Sequence, residues 1–107
     1  MKENDVLKAL GALAQSSRLK TFRALVVAGQ TGLVPGVMAE QMAIPAATLS
    51  FHLKELMHAG LVTQERHGRH LIYRANYDSM NEVIAYLTEN CCQGEACLEE
   101  SELHCHC

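Results

Sequence analysis

Apolar residues recur along much of this chain at helical spacing, and the expected elements change where that spacing breaks. Val6, Leu10 and Leu13 stand at helical spacing behind Asn4 or Asp5 as a cap, predicting a first helix over about residues 4–14. Ser16 or Ser17 caps a second helix, whose apolar set is Leu19, Phe22, Leu25 and Val26. Gly29 and Gly32 interrupt the pattern, and Pro35 suits the first turn of a short third helix ending near Met42. After the tight connection Ile44-Pro45-Ala46, a fourth helix from Ala47 to Ala59 carries Leu49, Leu53, Leu56 and Met57 on one stripe. Gly60 is placed to end it. Leu61 to Arg66 and His70 to Ala75 then read as two short strands. They are joined by His67-Gly68-Arg69, where glycine supplies the left-handed backbone of a hairpin turn. A last helix starts near Ser79, with Met80, Val83, Ile84 and Leu87 on one face and Cys91 one turn further on.

Two helices joined by so short a turn are either an ordinary αα-hairpin with a solvated polar face or a helix-turn-helix whose second helix enters the DNA major groove. The polar face of that second helix carries Thr48, Ser50, His52 and Lys54, and Ala47 and Phe51 belong to the same expected DNA-facing set. The hairpin that follows shifts the balance, because its tip concentrates Arg66, His67, Arg69 and His70. Such a tip either meets phosphates as a wing or keeps the strand edges from pairing with other chains. The order favours the wing. The expected fold is mainly α with a β-hairpin wing, a winged helix-turn-helix. At 107 residues the core is adequate but not generous, so a homodimer is expected. Val6, Leu10 and Leu13 of the first helix and Met80, Val83, Ile84 and Leu87 of the last would form its interface. A two-fold axis there sets two recognition helices about one DNA turn apart and favours a palindromic operator.

Composition adds class and compartment. With 49% apolar and 20% charged residues this is a folding sequence, not a disordered one. No apolar run reaches bilayer length and the first residues do not form a signal-peptide hydrophobic region, so a cytoplasmic protein without a membrane partner is expected. The net charge of −3 is unevenly placed: residues 1–75 hold nine Lys and Arg against five acids, and residues 76–107 hold seven acids with no Lys or Arg. A mildly basic body suits an anionic partner, and the acidic end should face away from it. All five cysteines lie in the last 17 residues, as NCCQGEAC from Asn90 to Cys97 and HCHC from His104 to Cys107. In a reducing compartment such a cluster is a set of metal ligands or a redox sensor rather than a disulfide framework. The chain thus divides into a DNA-binding and dimerisation domain over 1–92 and a Cys/His-rich metal-binding tail over 93–107.

Leu49-Ser50-Phe51-His52-Leu53-Lys54 followed by His58-Ala59-Gly60-Leu61-Val62 resembles the recognition helix and wing entry of the ArsR family of dimeric bacterial repressors released from DNA by metal or metalloid ions. Ala12-Leu13-Ala14 followed by Ser17-Arg18-Leu19 resembles that family's junction between its first two helices. The likeness spans about residues 5–92, and Ser50 to Val62 is its most specific part. Tyr86 to Cys92 with the later Cys97 is similar to the subgroup of arsenite-responsive members with a three-cysteine site after the last helix. Two other family sites do not carry over, since Val34 to Met42 contains no cysteine and Ser79 to Asn90 no histidine. Phe51 stands where many relatives have a polar or basic residue.

The resemblance implies trivalent arsenic or antimony as inducer, and the thiol chemistry agrees. Three thiolates from Cys91, Cys92 and Cys97 suit a pyramidal ion carrying a lone pair, whereas structural zinc wants four ligands. Adjacent side chains on a helix diverge by roughly 100°, so Cys91 and Cys92 converge only where the helix ends, with Gly94 letting the chain turn back. Cys91 alone also reads as a continuation of the apolar stripe. Rival readings are a thiol redox switch and a zinc or cadmium site completed by His104, Cys105, His106 and Cys107. The terminal HCHC is equally a second metalloid site, a capture arm, or a tail without essential role. His52, His58, His67 and His70 have no cysteine or carboxylate at a convincing ligand spacing. The chain shows no acid/base pair or phosphate loop, so no enzymatic activity is expected.

Overall fold

The computed structural model describes residues 1–89. Helices α1 (Glu3–Leu13), α2 (Ser16–Ala28), α3 (Pro35–Met42) and α4 (Ala46–His58) precede the hairpin β1 (Val62–His67) and β2 (His70–Ala75), and α5 (Tyr77–Thr88) closes the order. The expected elements are present, with ends displaced by one or two residues and a short 3-10 turn at Gly29–Thr31 added after α2. The mainly helical winged helix-turn-helix expectation holds.

The helix caps differ from those expected. Lys2, not Asn4 or Asp5, is the α1 cap residue, and Asp5 acts from within the first turn by accepting the Lys2 backbone N–H at 3.4 Å. Gln15 takes the role given to Ser16 or Ser17, its Oε1 accepting the Arg18 N–H at 2.7 Å. Helix α5 begins at Tyr77 rather than near Ser79 because Asn76 caps it, accepting the Ser79 N–H at 3.3 Å. At Gln15 and Asn76 the cause is the same: a side-chain oxygen three residues upstream satisfies an orphan N–H of the first turn.

The core lies between α1, α2, α3, α4 and the base of the wing, with α5 contributing Val83. Leu25, Met38, Leu49, Leu53, Leu56 and Leu61 are its fully buried large side chains. On α1 the buried residues are Val6, Ala9 and Ala12, so two alanines let that helix pack closely while Leu7 and Leu10 face outward. Leu19, assigned from its spacing to the apolar stripe of α2, is 43% exposed, and Thr21 takes the buried place. Thr21 is satisfied there by donating to the Ser17 carbonyl at 2.8 Å.

Two helix ends set the angles at which α3, α4 and the hairpin meet. Helix α4 closes with Gly60 left-handed at φ 78°, the Gly60 N–H on the Met57 carbonyl and the Leu61 N–H on the Leu56 carbonyl, both at 3.0 Å. That is the Schellman arrangement, with buried Leu61 meeting the Leu56 turn. Helix α3 closes with the same pair of bonds, Ala43 to Glu40 at 3.3 Å and Ile44 to Ala39 at 3.2 Å, but the left-handed residue is Ala43 at φ 54°. An L side chain there costs roughly 1 kcal/mol that glycine avoids.

The wing is anchored at its base. Strands β1 and β2 pair antiparallel from Val62 opposite Ala75 to His67 opposite His70. Gly68 (φ 61°) opens the two-residue turn, and Arg69 has no positive φ, the pattern of a II′ turn. Leu33 adds a bridge to β2, with the Leu33 N–H on the Tyr73 carbonyl at 3.0 Å and its reciprocal at 2.8 Å. Gly32 (φ 70°) makes that approach feasible: a Cβ there would lie 2.6 Å from Ile72 Cγ2 and 2.7 Å from the Tyr73 carbonyl oxygen. Asn76 ties the unit together, donating from its backbone to Leu61 at 2.8 Å and from Nδ2 to Gly60 at 3.1 Å.

Replacing Ala43 by glycine is expected to raise stability by about 0.5 kcal/mol, the left-handed strain of roughly 1 kcal/mol less the entropy glycine adds to the unfolded chain. A urea unfolding midpoint that falls would show that the strain at Ala43 is smaller than that entropy.

Candidate nucleic-acid interface

The setting of α4 decides which side chains reach a partner. Leu49, His52, Leu53 and Leu56 are its buried residues, which turns Ala47, Thr48, Ser50, Phe51 and Lys54 outward. These five, all expected to face DNA, are therefore available to it. His52, the sixth, is not. It is 6% exposed, and among the described residues its Nδ1 has no hydrogen-bond partner. Burial, reinforced by the nearby Arg18 charge, pushes its imidazole below the ordinary value of 6.5. Helix geometry carries the signal that would have found this: His52 is three residues after Leu49 and four before Leu56, inside the apolar stripe. Its polar ring suggests the outer face, and its position overrules that.

At the wing, Arg66, His67, Arg69 and His70 are all exposed. Arg69 occupies the turn between Gly68 and His70, where only the hairpin's own backbone is near in sequence. His67 is less free than its exposure suggests, because its Nε2 is paired with the Glu65 carboxylate. Glu65 in turn stands 3.7 Å from an Arg74 guanidinium nitrogen. Arg74, a basic wing residue outside the expected DNA-facing set, is used internally: its Nε donates to the Gln30 carbonyl at 2.7 Å, tying the wing to the 3-10 turn. His58 lines a cleft of about 500 Å³ with Lys8, Gly11, Ala12, Arg18, Glu55 and Ala59, away from the wing.

The residues expected at a dimer interface divide. Val6 and Val83 belong to the protomer's own core at 2% and 7% exposure, so they are removed from that set. Leu13 and Met80 are half-buried against the same core. Leu10, Ile84 and Leu87 remain exposed and are joined by Leu7 and Tyr86, giving α1 and α5 an uncovered apolar surface. Among the described residues, these side chains leave apolar surface exposed on two helices that pack against each other.

A recognition helix with an outward polar face, a left-handed turn before it and an anchored hairpin after it settle the architecture. The chain is a winged helix-turn-helix protein. Residues 13–65 match the family described as a helix-turn-helix domain. Solved structures of similar fold include an ArsR-like transcriptional regulator from Rhodococcus sp. RHA1, with 23% identity, 78% of this chain and 76% of the other covered, and a TM-score of 0.71. The homodimeric winged helix-turn-helix DNA-binding domain of Mb0332 from Mycobacterium bovis, a possible ArsR-family transcriptional regulator, is 21% identical. There 90% of this chain and 89% of the other are covered, with a TM-score of 0.66. The transcriptional repressor BigR from Xylella fastidiosa is 29% identical, with 87% and 90% covered and a TM-score of 0.62. No curated protein sequence matches the chain. The fold of this winged helix-turn-helix protein is thus that of ArsR-like and BigR transcriptional regulators.

Among the described residues, no three His, Cys, Asp or Glu side chains gather as a metal site. Cys91, Cys92, Cys97, His104, Cys105, His106 and Cys107, with the whole tail 93–107, lie outside the described residues.

Lys54→Ala or Arg69→Ala should weaken binding to all DNA sequences and reduce the slope of log K against log salt by about 1 for each phosphate no longer neutralised. Fluorescence anisotropy across a salt series checks this, and an unchanged slope removes that residue from the phosphate-binding set. Burial of His52 has a consequence for stability. Its folded-state affinity for a proton is lowered, so the unfolded chain binds the proton more readily. Its contribution to stability is complete above pH 6.5 and is lost as the pH falls below that value. Urea midpoints of the wild type should drop between pH 7.5 and 5.5 more than those of His52→Gln, and parallel curves would show that His52 is not the group responsible.

Proposed function

We propose that this protein is a dimeric transcriptional repressor of the ArsR type that holds operator DNA in its ion-free state and releases it on capturing trivalent arsenic or antimony. One observation carries the DNA-binding part: the burial of Leu49, Leu53 and Leu56 turns Thr48, Ser50 and Lys54 outward on the same unit that carries Arg66 and Arg69 on its wing. BigR is a transcriptional repressor and the M. bovis domain is a homodimer, and both properties fit a chain with the uncovered apolar surface of α1 and α5.

The inducer reading is supported by the tail. Cys91 and Cys92 come three and four residues after Thr88, the last residue of the helix carrying Ile84 and Leu87, so thiolates drawn together there would act on the proposed association face. The chain's part in release is mechanical. Convergence of Cys91, Cys92 and Cys97 displaces the last turn of α5, the two protomers meet at a different angle, and the spacing of the two α4 helices no longer fits successive major grooves. A coupling of about 2.7 kcal/mol weakens DNA affinity roughly a hundredfold, and by linkage operator DNA weakens ion capture by the same factor. Thiols lose protons on binding, so ion affinity falls at low pH.

Cys91→Ser, Cys92→Ser and Cys97→Ser should each bind DNA like the wild type yet stay bound when arsenite is added. Anisotropy of a labelled operator, challenged in turn with arsenite, antimonite, cadmium, zinc and peroxide, tests this. Normal release of all three variants by arsenite would put the site elsewhere, release by zinc or cadmium alone would replace the inducer, and reductant-reversible release by peroxide alone would make the tail a redox switch.

A further inference from the structure

The outward face of α4 holds one residue that its neighbours do not explain. Phe51 is 55% exposed at the centre of a face otherwise made of Ala47, Thr48, Ser50 and Lys54. It is not part of the core cluster, and its ring meets the adjacent His52 ring only at a tilted 5.9 Å. A phenyl group in water at this position is unfavourable for the free protein, and its removal from water is worth something only in a complex. The ring has no donor or acceptor, so it cannot bond phosphate or the polar edges of bases. The floor of the major groove offers one apolar group, the 5-methyl of thymine. The surrounding side chains favour that pairing. Ala47, Thr48 and Ser50 are small, so α4 can approach closely enough for the Phe51 ring to reach the base edges, with Lys54 one turn on to meet a phosphate.

We propose that Phe51 reads the 5-methyl group of a thymine in each operator half-site, making it a specificity-determining residue. The proposal rests on the DNA-binding reading above and deepens it. It places base discrimination in an apolar contact, whereas the polar side chains of α4 set register and affinity.

The probe is a duplex enriched by the wild-type protein from a pool of random-sequence DNA. Thymines are then replaced one at a time by deoxyuridine, which removes the methyl group and keeps every hydrogen-bonding group. One position in each half-site should weaken wild-type binding about fourfold, the equivalent of one methyl group withdrawn from an apolar neighbour. Phe51→Ala should bind the thymine and deoxyuridine duplexes equally at that position, with its unfolding midpoint unchanged because the ring is outside the core. No deoxyuridine-sensitive position, or a sensitivity that persists in Phe51→Ala, overturns the proposal, and the persistent case assigns the methyl group to Ala47 or Thr48. A pool from which the wild type enriches nothing overturns the DNA-binding reading itself.

Discussion

The rotational setting of α4 about its own axis is the constraint on which the rest depends. Leu49, Leu53 and Leu56 are fully buried, and burying a leucine is worth about 2 kcal/mol. Turning the helix by one residue would expose part of that stripe, at a cost that is large against a total stability of roughly 5–15 kcal/mol. The outward residues are therefore presented in one orientation only. Recognition here is a by-product of packing: Thr48, Ser50, Phe51 and Lys54 point outward because three leucines point in.

That setting is transmitted to the wing through backbone geometry more than through side-chain bulk. Gly60 stops α4 and redirects the chain, Asn76 bonds to Gly60 and Leu61 on one side and caps α5 on the other, and the Leu33 bridge holds β2 from a third direction. Tyr77 adds a bond from its hydroxyl to the Val26 carbonyl at 2.9 Å, fastening the start of α5 to α2. The base of the hairpin and the first turn of α5 are thus parts of one hydrogen-bonded junction. The root of the wing and the start of α5 share these bonds, a contiguous physical connection that the proposed release would use.

Charge is arranged to agree with this division. The basic residues lie in the first 75 positions, and Arg74, which looks like one more phosphate ligand, is withdrawn into the fold by Gln30 and Glu65. Arg66 and Arg69 at the wing and Lys54 on α4 remain. Seven of the twelve acids gather after position 75, beyond the junction in sequence, and none of them interrupts α4 or the wing tip.

The helical spacing of the apolar residues determined the number and order of the helices, and the hairpin was legible where that spacing stops after Gly60 and the His67-Gly68-Arg69 turn separates two short runs. The outward placement of Thr48, Ser50 and Lys54 was legible for the same reason, and the place of His52 between Leu49 and Leu56 already sets it inside the apolar stripe against the polarity of its ring. Tertiary structure decided what depends on partners distant in sequence. Val6 and Val83 close the core while Leu10 and Ile84 face out, since α1 approaches its neighbours through Ala9 and Ala12, and a repeat cannot tell which side of a wide apolar face a neighbouring helix will cover. Arg74 is spent on a carbonyl 44 residues away, and Gly32 is required by a strand that only the folded chain brings beside it. Such pairings are set by where elements cross, and local sequence holds no record of that.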